Sequence, residues 1–233
     1  MDFQSMDCSI IIPIYNARIL IEPAVLALRE FLQKSSITYE ILLRDDASSD
    51  GSGALLKQLA SKYSQVRCFY NETNQGLGST LRSLLESAQS EKVIYCDVDL
   101  PFGVGIFSQI LGQLESHDIV VASRYLTKNH VTFSRRLVSW GYYYFCKAFL
   151  GVAVRDIGSG TVGLRKGKVQ ALDLKARRFD IHVELFAKSH RHKYSIQEIP
   201  ASFLAPQSGS FSIFRHGPQV VGDTLRFWRS FKN

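Results

Sequence analysis

Along the first 125 residues, short apolar runs alternate with longer segments in which apolar residues recur every three or four positions. The first pattern predicts buried strands and the second predicts amphipathic helices. The predicted strands are Cys8–Ile14, Tyr39–Leu43, Val66–Tyr70, Val93–Cys96 and Asp118–Ser123. The predicted helices cover residues 19–34, 50–63 with Asp50 as the cap, 77–88 and 104–116. This alternation predicts an α/β fold with a mostly parallel sheet joined by right-handed crossovers.

The second half of the chain is less regular and contains two segments that combine basic and aromatic residues. Residues 133–152 begin with arginines and continue into a dense aromatic band, and residues 217–233 repeat that character. Each segment predicts an amphipathic helix, which by default packs in the core but also suits a lipid interface. We therefore divide the chain into a main domain of residues 1–216 and a C-terminal helix of residues 217–233.

Several predicted strands end in polar residues, and the most informative ending is a pair of aspartates in residues 92–99. Side chains two apart in an extended chain point to one side, so Asp97 and Asp99 converge at the carboxyl end of the strand. Open α/β sheets bind ligands at that end. Two convergent carboxylates favour a hard divalent cation that also bridges substrate phosphates. An isolated pair of this kind is often only a helix cap, but the polar ends of two other strands favour a nucleotide site.

Composition limits the classes of protein and partner. The 233 residues are 45% hydrophobic and 21% charged, which suits one globular α/β domain. The net charge of +7 suits a polyanionic partner: nucleic acid, anionic lipid or a phosphorylated substrate. The sequence has no RNA-binding string, recognition helix or zinc spacing, so nucleic acid is not expected. No apolar run approaches the roughly 20 residues of a membrane span, and the start lacks the regions of a signal peptide.

Two other patterns suggest rival sites. Residues 158–163 fit the dinucleotide-binding glycine string, but they lie late in the chain and no regular strand–helix–strand series follows them. These glycines are more typical of a turn. The histidines at 182, 190 and 192 suggest a metal site, but basic residues surround two of them, which favours a solvated helix end.

Several short motifs then occur in a consistent order. They are Pro13-Ile14-Tyr15-Asn16, the run from Asp45 to Gly51, Asn74 to Gly78, Asp97 to Leu100, Ala122 to Tyr125, Ser134 to Ser139 with Asp156 to Gly160, and Ile199 to Phe203. Together they resemble the inverting family-two glycosyltransferases of GT-A fold. The similarity is closer to the polyprenyl-phosphate branch, which contains the dolichol-phosphate mannose synthases and their bacterial relatives. It covers about residues 8–215.

The resemblance implies a donor site. Its nucleoside end would be lined by Pro13, Tyr15, Asn16, Arg44 and Asp46. Its diphosphate would lie at Asp97, Val98 and Asp99. Mg²⁺ or Mn²⁺ would bind between Asp97 and Asp99, with Asp99 as the more direct ligand.

The resemblance also implies an acceptor site. Arg124 would contact a phosphate of the donor or the acceptor, and Arg135 and Ser139, one helical turn apart, would contact the acceptor phosphate. The catalytic set is then Asp97, Asp99, Arg124, Arg135 and Ser139.

The chain departs from the family pattern at four positions. They are Ala17, where a glutamate is usual, Pro101, where a polar residue can complete the metal shell, and Pro206 and Ser212, at charged positions of a late motif. These departures bear on the donor and on the phosphate clamp.

The predicted reaction is metal-dependent, inverting transfer of a sugar from GDP-mannose or a UDP-hexose to a dolichyl or undecaprenyl phosphate. A phosphate acceptor is already ionised, whereas a hydroxyl acceptor needs a general base. No paired carboxylate after residue 125 suggests a base. Two alternatives stay open: transfer to a saccharide or protein hydroxyl, and a non-catalytic subunit that binds nucleotide sugars.

The predicted location is the cytoplasmic face of a membrane, where the protein would be peripheral. A membrane-anchoring subunit or a homo-oligomer would help to hold it there.

Overall fold

The computed structural model describes residues 6–127, 133–204 and 213–231, without the side chains of 133–138 and 213–218. In chain order, the strands are β1 (Cys8–Ile14), β2 (Tyr39–Asp45), β3 (Val66–Tyr70), β4 (Lys92–Cys96), β5 (Ile119–Ser123), β6 (Thr161–Arg165) and β7 (Ile196–Pro200). The helices are α1 (Arg18–Lys34), α2 (Ser52–Lys62), α3 (Leu77–Ser87), α4 (Ile106–Gln113), α5 (Phe133–Leu150), α6 (Lys166–Ala171), α7 (Ile181–Arg191) and α8 (Ile213–Phe231). A short 3-10 helix, Arg124–Leu126, follows β5.

The seven strands form one sheet in the order β3-β2-β1-β4-β6-β5-β7. Only β6 runs against the others, because it pairs antiparallel with both β4 and β5. The predicted mostly parallel α/β sheet is confirmed, and the five predicted strands are present. The carboxyl ends of β1, β2, β4 and β5 therefore meet at one edge, together with the start of β6.

The strands β6 and β7 were not predicted. The sequence of β6 is a five-residue stretch interrupted by Gly163, which is too short and too irregular for pattern analysis. The glycine is required by packing, since a Cβ at Gly163 would overlap the side chain of Ile110 on α4. The glycine string of residues 158–163 thus leads into and enters an antiparallel strand, whereas a dinucleotide site needs it between a strand and a helix.

Helices cover both faces of the sheet and bury an apolar layer on each. One layer joins the sheet to α1, α2 and α4 through residues such as Leu28, Leu56 and Phe107. The other joins it to α3, α5, α6 and α7 through residues such as Leu84 and Phe186. The N-cap of α2 is Gly51 and not the predicted Asp50, which lies one residue earlier and accepts a hydrogen bond from the N–H of Ser52 at 3.0 Å.

The helices α5 and α8 pack together. The Tyr142 and Thr224 hydroxyls lie 2.7 Å apart, and the Phe149 and Trp228 rings meet edge to face with centroids 5.5 Å apart. The helix α8 begins at Ile213, before the domain boundary at residue 217 that the sequence predicts. That boundary stays a prediction. Among the helices of the described ranges, none combines the length and the hydropathy that a membrane crossing requires.

Candidate donor and metal site

The predicted donor residues lie on one edge of the sheet because the strands before them are parallel and in register. Pro13 pairs with Arg44, and Ile14 pairs with Asp45. The strand β4 lies on the other side of β1, with Ile11 opposite Tyr95. Each strand then ends within one or two residues of its neighbours, so the turns after β1, β2 and β4 share one rim.

Asp97 is held from three sides. Its N–H donates to the Gly160 carbonyl at 2.8 Å, and its Oδ1 accepts a hydrogen bond from the Tyr95 hydroxyl. A Cβ on Gly160 would overlap its Oδ2, so the carboxylate rests directly on that glycine. Burial is the main cause that raises the pKa of the Asp97 carboxyl to about 6; the Tyr95 hydrogen bond opposes the rise and the charge of Asp99 adds to it.

Asp99 has a different environment. The residue is half-buried, and its Oδ1 is fully buried with no hydrogen-bond partner among the described residues. Burial also raises the pKa of this carboxyl. A buried carboxylate oxygen without a partner is costly, and a bound cation would remove that cost. Val98, between the two aspartates, packs into the apolar layer and so fixes the turn.

These residues fit a divalent metal. The partnerless oxygen of Asp99 and the glycine surface beneath Asp97 leave two carboxylates at one rim, which are the hard oxygen ligands that Mg²⁺ and Mn²⁺ accept. No group of three or more His, Cys, Asp or Glu side chains within the described ranges could hold a metal ion. The remaining ligands would therefore have to come from a diphosphate or from water.

Asp46 is buried and holds the loop before α3. Its Oδ1 accepts hydrogen bonds from Asn71 Nδ2 at 2.7 Å and from the Gln75 N–H at 2.8 Å, and its Oδ2 accepts one from the Gly76 N–H at 2.9 Å. The side chain of Arg44 donates to the same Asn71 at 3.0 Å. Asp46 and Arg44 therefore shape the predicted nucleoside end through a shared loop. Their direct contact with a nucleoside stays a prediction.

The turn after β1 is tied to the turn after β2. Asn16 has a φ of +48°, its N–H donates to Ser48 Oγ at 2.8 Å, and its side-chain oxygen accepts from the Ser49 N–H at 2.9 Å. Tyr15 is 50% exposed at the same rim, directly after Pro13 and Ile14 at the end of β1. An exposed aromatic ring beside an ordered polar turn suits stacking against a nucleoside base.

Arg124 is fixed by a carboxylate 32 residues away. Its Nε and Nη2 donate to both oxygens of the buried Asp156 at 2.9 to 3.1 Å, and Nη2 also donates to the Gly158 carbonyl at 2.8 Å. Although burial by itself lowers the pKa of Arg124, the Asp156 carboxylate raises it above its ordinary value. The backbone N–H groups of Arg155 and Asp156 donate in turn to Glu198, which anchors the pair. The guanidinium thus has one defined position at the rim.

The predicted acceptor residues lie on α5. Ser139 is half-buried, while the side chain of Arg135 lies outside the described residues. Further along α5, Trp140 is 51% and Tyr144 61% exposed, although Cys146 on the same helix is fully buried. The helix therefore presents aromatic residues to the surface on one side and packs into the core on the other.

Two of the four departures from the family pattern can be located. The N–H of Ala17 donates to Ser52 Oγ at 3.3 Å, so this position joins the turn to α2 without a carboxylate. Pro101 is buried against Gly160, and its carbonyl accepts from the Leu204 N–H at 2.8 Å. Pro101 thus offers no side-chain ligand to a metal. Pro206 and Ser212 lie outside the described residues.

Comparison with known proteins identifies the family. Residues 9–172 match the family described as Glycosyl transferase family 2. This chain belongs to that family. The resemblance inferred from these short motifs is confirmed.

Three curated relatives are similar over most of the chain. Dolichol-phosphate mannosyltransferase of Pyrococcus furiosus is 30% identical over 206 residues, which are 85% of this chain and 56% of that protein. The enzyme of the same name from Mycosarcoma maydis is 28% identical over 231 residues, covering 92% of this chain and 78% of its own. Undecaprenyl-phosphate mannosyltransferase of Micrococcus luteus is 25% identical over 209 residues, covering 85% and 84%. This chain spans little more than half the length of the Pyrococcus protein.

Solved structures share the fold at low sequence identity. Glucosyl-3-phosphoglycerate synthase from Mycobacterium tuberculosis, in complex with Mn²⁺, UDP-glucose and phosphoglyceric acid, matches with a TM-score of 0.73 and 16% identity over 95% of this chain and 79% of its own. The mannosyltransferase PcManGT from Pyrobaculum calidifontis, in complex with GDP-Man and Mn²⁺, matches with a TM-score of 0.61 and 14% identity over 87% and 58%. The GT-A fold is confirmed.

Four residues build the site through contacts that the sequence did not predict: Tyr95 and His182 were not linked to it, and Asp156 and Gly160 were only members of a motif in this family-2 chain. The strand β4 was interpreted only as apolar, so the Tyr95 hydroxyl and its need for a partner were overlooked. His182 was grouped with the two other histidines, but it is 8% exposed and lies against Tyr95, while His190 and His192 are exposed at the end of α7. The signal in the sequence that could have revealed Tyr95 was its hydroxyl, a polar group within an apolar strand.

Proposed function

We propose that this chain transfers a sugar from a nucleoside-diphosphate sugar, GDP-mannose or a UDP-hexose, to a polyprenyl phosphate with inversion at the anomeric carbon. The donor would lie on the rim formed after β1, β2 and β4, with its diphosphate at Asp97 and Asp99. The names of the three curated relatives support this substrate class.

The observation that carries the proposal is that the carboxylates in the second half of the chain already have hydrogen-bond or ion-pair partners within the protein. All six acidic residues after Leu126 lie in the described ranges, and each is engaged in hydrogen bonds or ion pairs within the protein. They are Asp156 with Arg124, Asp173 with Lys175, Asp180 with the Arg178 N–H, Glu184 with Lys188 and the 175–176 backbone, Glu198 with the 155–156 backbone, and Asp223 with Arg226. A base from this half of the chain, which a hydroxyl acceptor could require, would have to give up its present partner, whereas an ionised phosphate needs no base.

The reaction then needs only charge stabilisation and orientation. An oxygen of the acceptor phosphate forms a bond to the anomeric carbon from the face opposite the leaving group. The bond from that carbon to the diphosphate breaks, and the electron pair leaves with the nucleoside diphosphate. When bound, the divalent cation stabilises the negative charge that develops on the diphosphate. Arg124, held in one position by Asp156, would add a positive charge beside the transferring group.

The paired helices α5 and α8 support a membrane-bound acceptor. Trp140, Tyr144 and Phe149 are each at least half exposed, and the Arg226 side chain is 71% exposed on α8. Aromatic and basic residues together are typical of a helix at a lipid surface. The proposed location is the cytoplasmic face of a membrane, with a membrane-anchoring subunit or a second copy of the chain as a further attachment.

The test is transfer of label into lipid. The protein is incubated with labelled GDP-mannose or UDP-hexoses, Mg²⁺ or Mn²⁺, and polyprenyl phosphate, and the products are extracted into organic solvent. We expect a labelled lipid that forms only with the metal present and only when the polyprenol carries its phosphate. Transfer to free polyprenol or to a soluble saccharide would contradict the phosphate acceptor, and an absence of transfer with nucleotide still bound would indicate a non-catalytic subunit.

A further inference from the structure

Tyr95 is the one residue of β4 with a polar side chain that points at the proposed metal site. The sequence of β4 is Lys-Val-Ile-Tyr-Cys. Tyr95 lies in the apolar part of this strand and is 3% exposed. Its hydroxyl donates a hydrogen bond to Asp97 Oδ1. Residues 95, 97 and 99 are two apart, so the hydroxyl lies beneath the rim that carries the two carboxylates.

We propose that Tyr95, supported by His182, is a positioning residue that sets the orientation of Asp97 for metal and diphosphate binding. The proposal rests on the proposed function of this site and goes beyond it, since it assigns a role to two residues outside the donor rim. Neither residue would contact the metal or the substrate.

The orientation of Asp97 depends on Tyr95 because few other groups restrain its carboxylate. The backbone N–H is bonded to Gly160, which fixes the main chain but leaves the side chain free to rotate. Gly160 closes the space beside Oδ2. The hydrogen bond from Tyr95 to Oδ1 then selects one rotation of the carboxylate. The bond is shielded from water, since Tyr95 is 3% exposed.

His182 holds the tyrosine ring. It lies on α7 with its ring 5.6 Å from that of Tyr95 at an angle of 32°, and it is buried. Its Nε2 has no hydrogen-bond partner in the part of the chain that the structure describes, so the ring face is what this residue contributes. An apolar cavity of about 40 Å³ lies beside both rings, between Leu81 and Leu185. The cavity leaves the tyrosine ring room to move, and the contact with His182 is a restraint on that movement.

The decisive variant is Tyr95→Phe, which keeps the ring and removes only the hydroxyl. The matched control is Tyr39→Phe, because Tyr39 is also a buried strand tyrosine but its hydroxyl has no hydrogen-bond partner. Binding of GDP and UDP to the full chain is measured by titration calorimetry over a range of Mn²⁺ concentrations and in EDTA, and melting temperatures are measured for each variant.

We expect the Mn²⁺ concentration for half-maximal nucleotide binding to rise about tenfold in Tyr95→Phe, the lower end of the range for loss of a group that supports a metal ligand. Nucleotide affinity in EDTA should match that of the wild type, although the melting temperature should fall somewhat because Asp97 Oδ1 loses its hydrogen bond. Tyr39→Phe should show no change in the Mn²⁺ requirement. His182→Phe, which keeps a ring in the stack, should lie closer to the wild type than His182→Ala.

An unchanged Mn²⁺ requirement in Tyr95→Phe would overturn the positioning role while leaving the proposed function intact. A weakened affinity in EDTA together with a lower melting temperature would indicate a purely structural role and overturn it as well. If the wild type itself binds neither nucleotide with Mn²⁺ present, the proposed function fails, and the positioning role fails with it.

Discussion

Asp97 and Asp99 stand two residues apart in the chain but have different surroundings. Asp97 is satisfied by Tyr95 and rests on Gly160, whereas Asp99 keeps a buried oxygen without a partner. An unpaired buried charge destabilises the folded chain, so it is retained where a ligand compensates for it. This difference agrees with Asp99 as the more direct ligand, a role that the resemblance implies.

Asp99→Asn should separate activity from stability. The substitution keeps the shape and removes the charge that would hold the metal, so we expect at least an approximately 100-fold loss of sugar transfer. The melting temperature should stay equal or rise, because the variant removes a buried charge without a hydrogen-bond partner. The exposed Asp173→Asn is the control and should change neither quantity. Full transfer by Asp99→Asn, or by the wild type in chelator, would contradict the metal role.

His182 should make the free energy of unfolding fall as the pH falls. Burial lowers the pKa of its imidazole from 6.5 to about 4. The unfolded chain therefore takes up a proton below pH 6.5 that the folded chain resists until about pH 4, so acid favours unfolding over this interval. The loss of unfolding free energy caused by His182 should reach about 3 kcal/mol near pH 4, at 1.36 kcal/mol per pKa unit.

His182→Phe should remove that loss. We expect the difference in unfolding free energy between His182→Phe and the wild type to grow in favour of the variant as pH falls from 6.5 to 4, as measured by urea unfolding. The exposed His192→Phe serves as the control and should follow the wild type. Parallel pH profiles for His182→Phe and the wild type would show that this histidine is not the titrating group. The other ionisable side chains that line the adjacent cavity are Tyr95 and Arg82.

The strand β6 connects the two halves of the site because it lies between β4 and β5. The turn before it brings Gly160 beneath Asp97 and the Gly158 carbonyl to Arg124. The short antiparallel strand β6 and the turn before it therefore help to position both the Asp97 carboxylate and the Arg124 guanidinium at the rim. At Gly160 this contribution depends on close approach of the backbone, which only a residue without a side chain permits.

Gly160→Ala and Gly158→Ala form a matched pair that tests this role. A Cβ at Gly160 would overlap Asp97 Oδ2, whereas a Cβ at Gly158 would have its nearest neighbour, Arg124 Nη2, at 4.0 Å. We expect Gly160→Ala to lose metal-dependent nucleotide binding and about 1–3 kcal/mol of stability by urea unfolding. Gly158→Ala should keep both. Equal behaviour of the two variants in calorimetry would show that the contact with Asp97 does not matter for the site.

The whole molecule combines a net charge of +7 with exposed aromatic side chains on α5. Each basic residue near an anionic membrane contributes on the order of 1 kcal/mol, and salt screens that attraction as the Debye length shortens from about 10 Å at 0.1 M to about 3 Å at 1 M. A surface of this kind predicts reversible attachment that depends on both charge and aromatic contact.

Co-sedimentation with anionic liposomes tests the attachment. We expect binding that weakens as salt increases and that falls severalfold in the double variant Trp140→Ser with Tyr144→Ser, because both side chains are more than half exposed on α5. The control is Ile19→Ser, which removes an apolar side chain that is 76% exposed on α1. If the protein stays in the supernatant at low salt, or if Ile19→Ser lowers binding equally, the membrane face is elsewhere or absent.

The sequence alone predicted the alternating strands and helices of the first half and the rim where their polar ends meet, because hydrophobic periodicity and strand ends are local features. Asp97 and Asp99 could be selected for the same reason, since two residues in an extended chain share a side. The tertiary structure decided the rest. It placed β6 antiparallel in the sheet, paired Arg124 with Asp156, and brought Asp97 against Gly160 and the His182 ring against Tyr95. These contacts join residues 32 to 87 positions apart, and close packing between chain segments, which no local pattern encodes, brings them together.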